Sequence, residues 1–163
     1  MSDARDSAGV IAPPPLIAAV TIVFGLILDW LLPAYVLTTL LAFPVRIFVG
    51  VTVFAAGAGF GVPAVLAFRS RGTDVEPWKP STALVTSGIF RWLRNPMYVG
   101  LALGIVGIGI ALASDWTLVL LLPAAVVMHV GVVRREERYL ETKFGDAYRT
   151  YTAQVPRYGW PPV

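Results

Sequence analysis

The sequence predicts an all-α integral membrane protein with about four transmembrane helices and a C-terminal amphipathic helix in the cytoplasm. The first observation is composition. The 163-residue chain is 56% hydrophobic and 14% charged, with a mean hydropathy of +0.71, whereas a soluble domain is about 25% charged. The second is that the charges cluster between long runs with at most one charged residue, Asp29 in the first and Arg46 in the second. Each run is close to the roughly 20 apolar residues that a membrane helix needs. The length suits a single membrane-embedded domain, residues 1–163.

Four runs predict the transmembrane helices: residues 15–32, 45–68, 96–113 and 116–133. Residues 1–14 carry both charge signs and end in the first two of three consecutive prolines, at positions 13–15, and we expect a flexible N-terminus there. The first run is followed by "DWLLPAY", which lacks a small-residue cleavage site, and is therefore interpreted as a retained helix. The connection "PAYVLTTLLAF" is itself apolar, so a short extra or re-entrant segment is possible there.

Lysine and arginine predict the orientation. They concentrate in residues 69–95 and after residue 133, and are absent from the other two connections. The positive-inside rule then places the basic loop and both termini in the cytoplasm, in a bacterial-type inner membrane or its equivalent.

Glycines recur in "GAGFG" in the second run and "GLALGIVGIG" in the third. Small residues at this spacing allow membrane helices to pack closely. A nucleotide-binding loop would need a preceding strand, so helix packing is the favoured interpretation.

Several function classes are excluded. The chain has no cysteine and a single histidine, His129, which removes thiolate nucleophiles, disulfides and cysteine- or histidine-rich metal sites. A net charge of +3 is too small to favour nucleic acid. We therefore expect no metal and no nucleic acid as partners.

The first polar cluster, "FRWLRNPMYVG", lies at the start of the third run. Pro96 suits the first turn of a helix, where its missing N–H costs nothing, and Asn95 can cap that helix. Arg94 has two open interpretations: it binds a ligand, or its side chain extends to lipid phosphates.

The second cluster begins at His129 and reads "HVGVVRREERYLETKFGDAYRTYTAQVPRYGWPP". If the helix continues unbroken, Glu136 returns to the face of His129 and Glu137 lies beside it. Adjacent carboxylates at a membrane boundary are unfavourable unless they pair with cations or take part in function. The alternative to a functional role is neutralisation by the neighbouring arginines 134, 135 and 138.

Apolar side chains continue beyond this point at three- and four-residue intervals. Such a pattern predicts an amphipathic helix, interrupted at Gly145, that packs on the core or lies at the interface. Its apolar positions are Leu140, Phe144, Tyr148 and Tyr151.

Together, "GIFRWLRNPMYVG" and, some thirty residues later, His129 with "EERYLETKFGDAYRTYTAQVPRY" closely resemble the isoprenylcysteine carboxyl methyltransferase and phospholipid methyltransferase group. These are integral membrane methyltransferases that use S-adenosylmethionine. The resemblance covers about residues 72–161. The family's first motif often reads Arg-His-Pro, so Asn95 is a departure, similar to the phospholipid and broader bacterial branch.

The resemblance implies a cofactor-binding catalytic core over residues 69–163. It implies in-line methyl transfer to an amphipathic or lipid-like acceptor, with a carboxylate or amine head group, that enters from the bilayer. Arg94 and Arg157 are expected beside the reacting head group. Arginine suits the cofactor carboxylate, and glutamate suits its ammonium or ribose hydroxyls. The implied cofactor-binding residues are Arg94, Asn95, Pro96, Tyr98, His129, Glu136 and Glu137.

Two other classes stay open. Membrane sterol reductases have a similar Arg-His-Pro-Asn-Tyr motif and bind NADPH, but this chain has Met97 where they have asparagine, and it is much shorter. A non-enzymatic membrane scaffold with the same fold is the third class.

Overall fold

The computed structural model describes residues 6–159, and within this range every regular element is helical, as predicted. The elements in chain order are α1 (Pro14–Leu31), α2 (Val36–Leu40), α3 (Phe43–Ser70), a 3₁₀ turn (Gly88–Arg91), α4 (Pro96–Leu112), α5 (Asp115–Met128), a π-helical segment (His129–Val133), α6 (Arg134–Phe144) and α7 (Asp146–Gln154).

Three helices are long and apolar enough to cross a membrane: α1, α3 and the continuous helix Asp115–Phe144. The remaining predicted span is α4, whose 17 residues give about 25 Å at 1.5 Å per residue, at the short end for a bilayer. The fold is thus that of a membrane protein. The fourth predicted run ends at residue 133, but the helix continues to Phe144 because no helix-breaking residue occurs before Gly145, which has φ +53°.

Helices α3 and α4 pack through glycines, which confirms the packing interpretation. A Cβ atom added at Gly57 would lie 2.7 Å from the Gly100 carbonyl oxygen, and one at Gly107 would lie 2.6 Å from that of Gly50. Both contacts are with backbone, so these positions hold the two helices at a separation that only glycine permits. The contacting glycines are seven residues apart on each helix, Gly50 and Gly57 on α3 and Gly100 and Gly107 on α4. By contrast, a Cβ atom at Gly59 would meet open space.

The end of the bundle away from the polar clusters is tied together by two aspartates. The Asp115 carboxylate accepts hydrogen bonds from the N–H groups of Val36 and Leu37, at 2.8 and 3.0 Å. It thereby caps α2, the short helix into which the connection "PAYVLTTLLAF" folds. Asp29 of α1 accepts a hydrogen bond from the hydroxyl of Ser114, just before α5.

Residues preceding α1 contact the other end of the bundle. The N–H of Ile11 donates to the Gly131 carbonyl at 3.2 Å, and Arg135 Nη1 donates to the Gly9 carbonyl at 2.8 Å. The Gly131 bond satisfies a carbonyl within the π-helical segment. The predicted flexibility of residues 1–14 is not tested by a static structure and stays a prediction. Residues 1–5 lie outside the described range. The proposed division into one domain with a core at 69–163 also stays a prediction.

Candidate functional site

The "RNP" motif lies against the C-terminal segment. Pro96 is the first residue of α4, as predicted. The predicted cap by Asn95 is wrong: its side chain makes no bond to α4 and instead donates from Nδ2 to the carbonyl of Arg157 at 3.3 Å. The adjacent Arg94 N–H donates to the Pro156 carbonyl at 2.9 Å. The backbone of Asn95, at φ −124° and ψ 53°, lies outside the β region that is typical of capping residues, and its side chain forms a tertiary contact with the tail instead.

Glu137 is shared by two arginines. Its carboxylate lies 3.2 Å from Arg94 Nη2 and accepts two hydrogen bonds from Arg157, at 2.9 Å from Nε and 2.7 Å from Nη2. Only 12% of the Arg94 side chain and 15% of the Glu137 side chain are exposed. Arg94 therefore faces the protein interior, which favours a site role over contact with lipid phosphates.

Glu136 has a different partner. Its carboxylate accepts a hydrogen bond of 2.6 Å from the hydroxyl of Tyr98, in the first turn of α4. Within residues 6–159 it forms no salt bridge, whereas Glu137 forms two. Neutralisation of this pair by its neighbours is therefore wrong: Arg135 binds the Gly9 carbonyl, and Arg138 binds a carbonyl of its own helix.

His129 contacts the tail. Its Nδ1 lies 2.9 Å from the hydroxyl of Tyr158. The predicted shared face with Glu136 assumed an unbroken α-helix, but the π-helical segment His129–Val133 intervenes and changes the register, as such segments often do at functional sites. The two side chains consequently bind different tyrosines.

Three cavities meet at Tyr98, which lines all of them. The polar cavity has a volume of about 40 Å³ and is also lined by Arg94, Asn95, Glu136 and Glu137. A groove between α4 and α5 has a volume of about 540 Å³. A second groove, between α3 and α4 and bordered by α1, has a volume of about 610 Å³. Both grooves have mainly apolar walls, so Tyr98 stands where charged and apolar surfaces join.

The tail helices support this site. Tyr148 and Tyr151 are buried with Val155, and the Tyr151 hydroxyl donates to the Phe90 carbonyl at 2.7 Å. These contacts confirm the amphipathic pattern and its interruption at Gly145. Burial raises the pKa of Tyr158 to about 12, so its phenol stays protonated at neutral pH.

The structure thus brings together six of the residues predicted for the cofactor and head group: Arg94, Asn95, Tyr98, Glu136, Glu137 and Arg157. Pro96 is buried at the start of α4, and His129 lies in the α4–α5 groove. Sequence reasoning missed Tyr158. Its only signal was its place in the aromatic and basic ending "VPRYGWPP", of which residues 160–162 lie outside the described range.

Comparison with known proteins agrees with the resemblance found in the sequence. Residues 45–147 match the family described as "Phospholipid methyltransferase". The chain is 32% identical over 80 residues to the cobalt-zinc-cadmium resistance protein CzcN of Cupriavidus metallidurans, and equally to the nickel-cobalt-cadmium resistance protein NccN of Alcaligenes xylosoxydans xylosoxydans.

Each of these matches covers 49% of this chain and 37% of the relative. No solved structure matches. The family match includes the first polar cluster and the second as far as residue 147. Because this match spans more than half of the chain, the protein belongs to the phospholipid methyltransferase family of membrane methyltransferases.

Proposed function

We propose that the protein is an S-adenosylmethionine-dependent methyltransferase that methylates an amphipathic or lipid-like acceptor reaching the site from the bilayer. One observation carries the proposal: a separated pair of charges lies beside apolar grooves. Arg94 and Arg157 share Glu137, which leaves an excess positive charge, while Glu136 has no ion-pair partner in the described residues.

This charge separation fits the amino-acid end of the cofactor, which carries a carboxylate and an ammonium. Arg94 also has a buried Nε atom without a hydrogen-bond partner, and buried donors are normally satisfied. The carboxylate would be held by Arg94, and the ammonium or ribose hydroxyls by Glu136, with Glu137 orienting both arginines. Asn95 and Pro96 would fix the backbone that aims Arg94.

The donor set fits the cofactor, but the polar cavity must widen to admit it. Its volume of about 40 Å³ is well below the roughly 300 Å³ at the lower end of ligand pockets. The loop residues Ser81, Ala83, Leu84 and Val85 form one wall. Among the described residues, this loop makes one hydrogen bond to α6, from the Ser81 N–H to the Tyr139 hydroxyl at 3.0 Å, and apolar contacts through Leu84 and Val85. We expect this wall to move.

The cofactor would supply the activated methyl group, so the protein's task is to position two reactants and exclude water. The apolar grooves serve the second purpose and would hold the hydrocarbon part of the acceptor. Because the cofactor is cytosolic, we propose that the polar clusters and both termini face the cytoplasm.

The names of the relatives refer to metal resistance, and this does not alter the proposal. Within residues 6–159, no group of three or more His, Cys, Asp or Glu side chains is arranged to hold a metal ion.

The test is cofactor binding by purified protein, measured calorimetrically, together with transfer of a radiolabelled methyl group to total membrane lipid and a panel of small acceptors. Glu136→Gln should weaken S-adenosylmethionine binding by roughly 1.5–3 kcal/mol, the value of a hydrogen bond to a charged group. Glu141→Gln is the matched control, because Glu141 lies on the same helix but pairs with the exposed Arg149. Equal binding by both variants would contradict the role of Glu136.

The same calorimetric measurement with NADPH tests the two alternative functions. Binding of NADPH without binding of S-adenosylmethionine would support the reductase alternative. Binding of neither would support a non-enzymatic scaffold.

A further inference from the structure

We infer that His129 and Tyr158 form the head-group end of the acceptor site, and that His129 removes a proton from the acceptor during methyl transfer. This inference rests on the proposed function. It differs from the assignment of His129 to the cofactor that the family resemblance implies.

The position of the pair is the first reason. The α4–α5 groove is lined by apolar side chains except for Tyr98, His129 and Tyr158. Tyr98 lies in the first turn of α4, His129 directly follows α5, and Tyr158 lies in the tail, so all three polar groups lie at one end. A groove of about 540 Å³ with this distribution suits a molecule with a hydrocarbon chain and one polar head.

The hydrogen bond is the second reason. The separation of 2.9 Å between His129 Nδ1 and the Tyr158 hydroxyl engages one ring nitrogen. When Nδ1–H donates to that hydroxyl, Nε2 carries a lone pair and can accept a proton. Because burial raises the pKa of Tyr158, the phenol is a neutral orienting partner and does not compete as a base.

The third reason is proximity to the cofactor residues. Tyr98 lines the same groove as His129 and binds Glu136 on its other side at 2.6 Å. The titratable groups in the groove wall are thus His129, Tyr98 and Tyr158, whereas the charged residues Arg94 and Glu137 line the neighbouring polar cavity. A head group at His129 is therefore one side chain away from the proposed cofactor site.

In the proposed step, the methyl group passes from sulfur to the acceptor. The lone pair of the acceptor nitrogen or oxygen forms a bond to the methyl carbon, and the methyl–sulfur bond breaks with its electron pair leaving on sulfur. The proton of the acceptor N–H or O–H passes to Nε2 of His129. A carboxylate acceptor has no such proton, so the pair points to an amine or phenol head group on a hydrocarbon chain.

The test uses synthetic probes with one alkyl chain and an amine, a phenol or a carboxylate as head group. We expect the wild-type protein to methylate the amine or phenol probe. In His129→Gln, kcat for that probe should fall about 100-fold or more, within the range of general-base contributions. Binding of S-adenosylmethionine, measured separately, should change less than about twofold. Tyr158→Phe should lower kcat less.

A matched pair of alanines tests the groove. Ala125→Phe fills the α4–α5 groove, and Ala58→Phe fills the α3–α4 groove; both alanines are exposed. Only Ala125→Phe should abolish probe binding, as measured by displacement of a fluorescent alkyl ligand. The opposite result would place the acceptor in the other groove and overturn the inference.

The remaining outcomes are distinct. Loss of S-adenosylmethionine binding in His129→Gln would return His129 to the cofactor site. Unchanged methylation of the protic probes in that variant, or methylation of the carboxylate probe alone, would also overturn the inference while leaving the proposed function intact. Failure of the wild-type protein to bind the cofactor would instead end the proposed function.

Discussion

Gly100 provides a test of how α4, and with it the site, is seated on α3. Substitution by alanine would place a Cβ atom 2.6 Å from the Gly57 carbonyl oxygen and 2.9 Å from the Gly61 nitrogen. Both neighbours are backbone atoms that cannot rotate away, so the helices must separate. Overpacking of this kind costs about 1–3 kcal/mol. Alanine's better helix propensity offsets about 1 kcal/mol, so we expect a net loss of up to about 2 kcal/mol.

Gly59→Ala is the matched control, because a Cβ atom at Gly59 meets nothing within 4 Å. Only the propensity term applies there, and the variant should be up to about 1 kcal/mol more stable. The assay is unfolding of the detergent-purified variants by denaturant or heat. Gly100→Ala as stable as Gly59→Ala, or Gly59→Ala less stable than wild type, would refute the reasoning. Because Gly100 lies one turn after Pro96, the shift should also weaken cofactor binding in Gly100→Ala.

Three further predictions concern the site and its orientation. Arg94→Lys should lower S-adenosylmethionine affinity about tenfold or more, roughly 1.4 kcal/mol, because lysine lacks the planar guanidinium that binds a carboxylate with two hydrogen bonds. The stability of the apo protein should change little. Normal cofactor binding by this variant would contradict the proposed role of Arg94. Pro96→Ala should reduce methyl transfer more than stability if the proline fixes the pocket backbone, and neither if it only starts α4. Reporter fusions after Ser70 and at the C-terminus should report cytoplasm, and one after Ser114 the opposite side; an extracytoplasmic C-terminus would contradict both topology and cofactor access.

Much of the fold was predictable because membrane helices are encoded locally. Apolar runs of adequate length marked α1, α3, α4 and α5, and the glycine spacing indicated close helix packing, although it did not identify α3 and α4 as the pair. The continuity of the fourth span with α6 was harder, since the basic stretch after residue 133 ends the apolar run without ending the helix. The charged residues of α6 favour a helix, but a stretch of such charged composition is usually assigned to a loop.

The partners within the site could not be predicted, because they depend on tertiary contacts. Glu137 lies next to three arginines in sequence, yet it binds Arg94 and Arg157. The π-helical segment was equally hidden. One of its carbonyls, that of Gly131, is satisfied by Ile11, a residue more than a hundred positions earlier.

Asn95, the departure from the family's usual Arg-His-Pro, becomes understandable from this tertiary arrangement. Its side-chain amide donates to the Arg157 carbonyl, beside the backbone bond from Arg94 to Pro156. A histidine at this position would also offer a ring N–H donor, so the exchange preserves the type of contact. That contact holds the tail segment whose side chains reach two different places: Arg157 binds Glu137 in the polar cavity, and Tyr158 binds His129 in the α4–α5 groove. Asn95 therefore secures both halves of the proposed site through one carbonyl, and the departure bears on how the tail docks more than on which cofactor is bound.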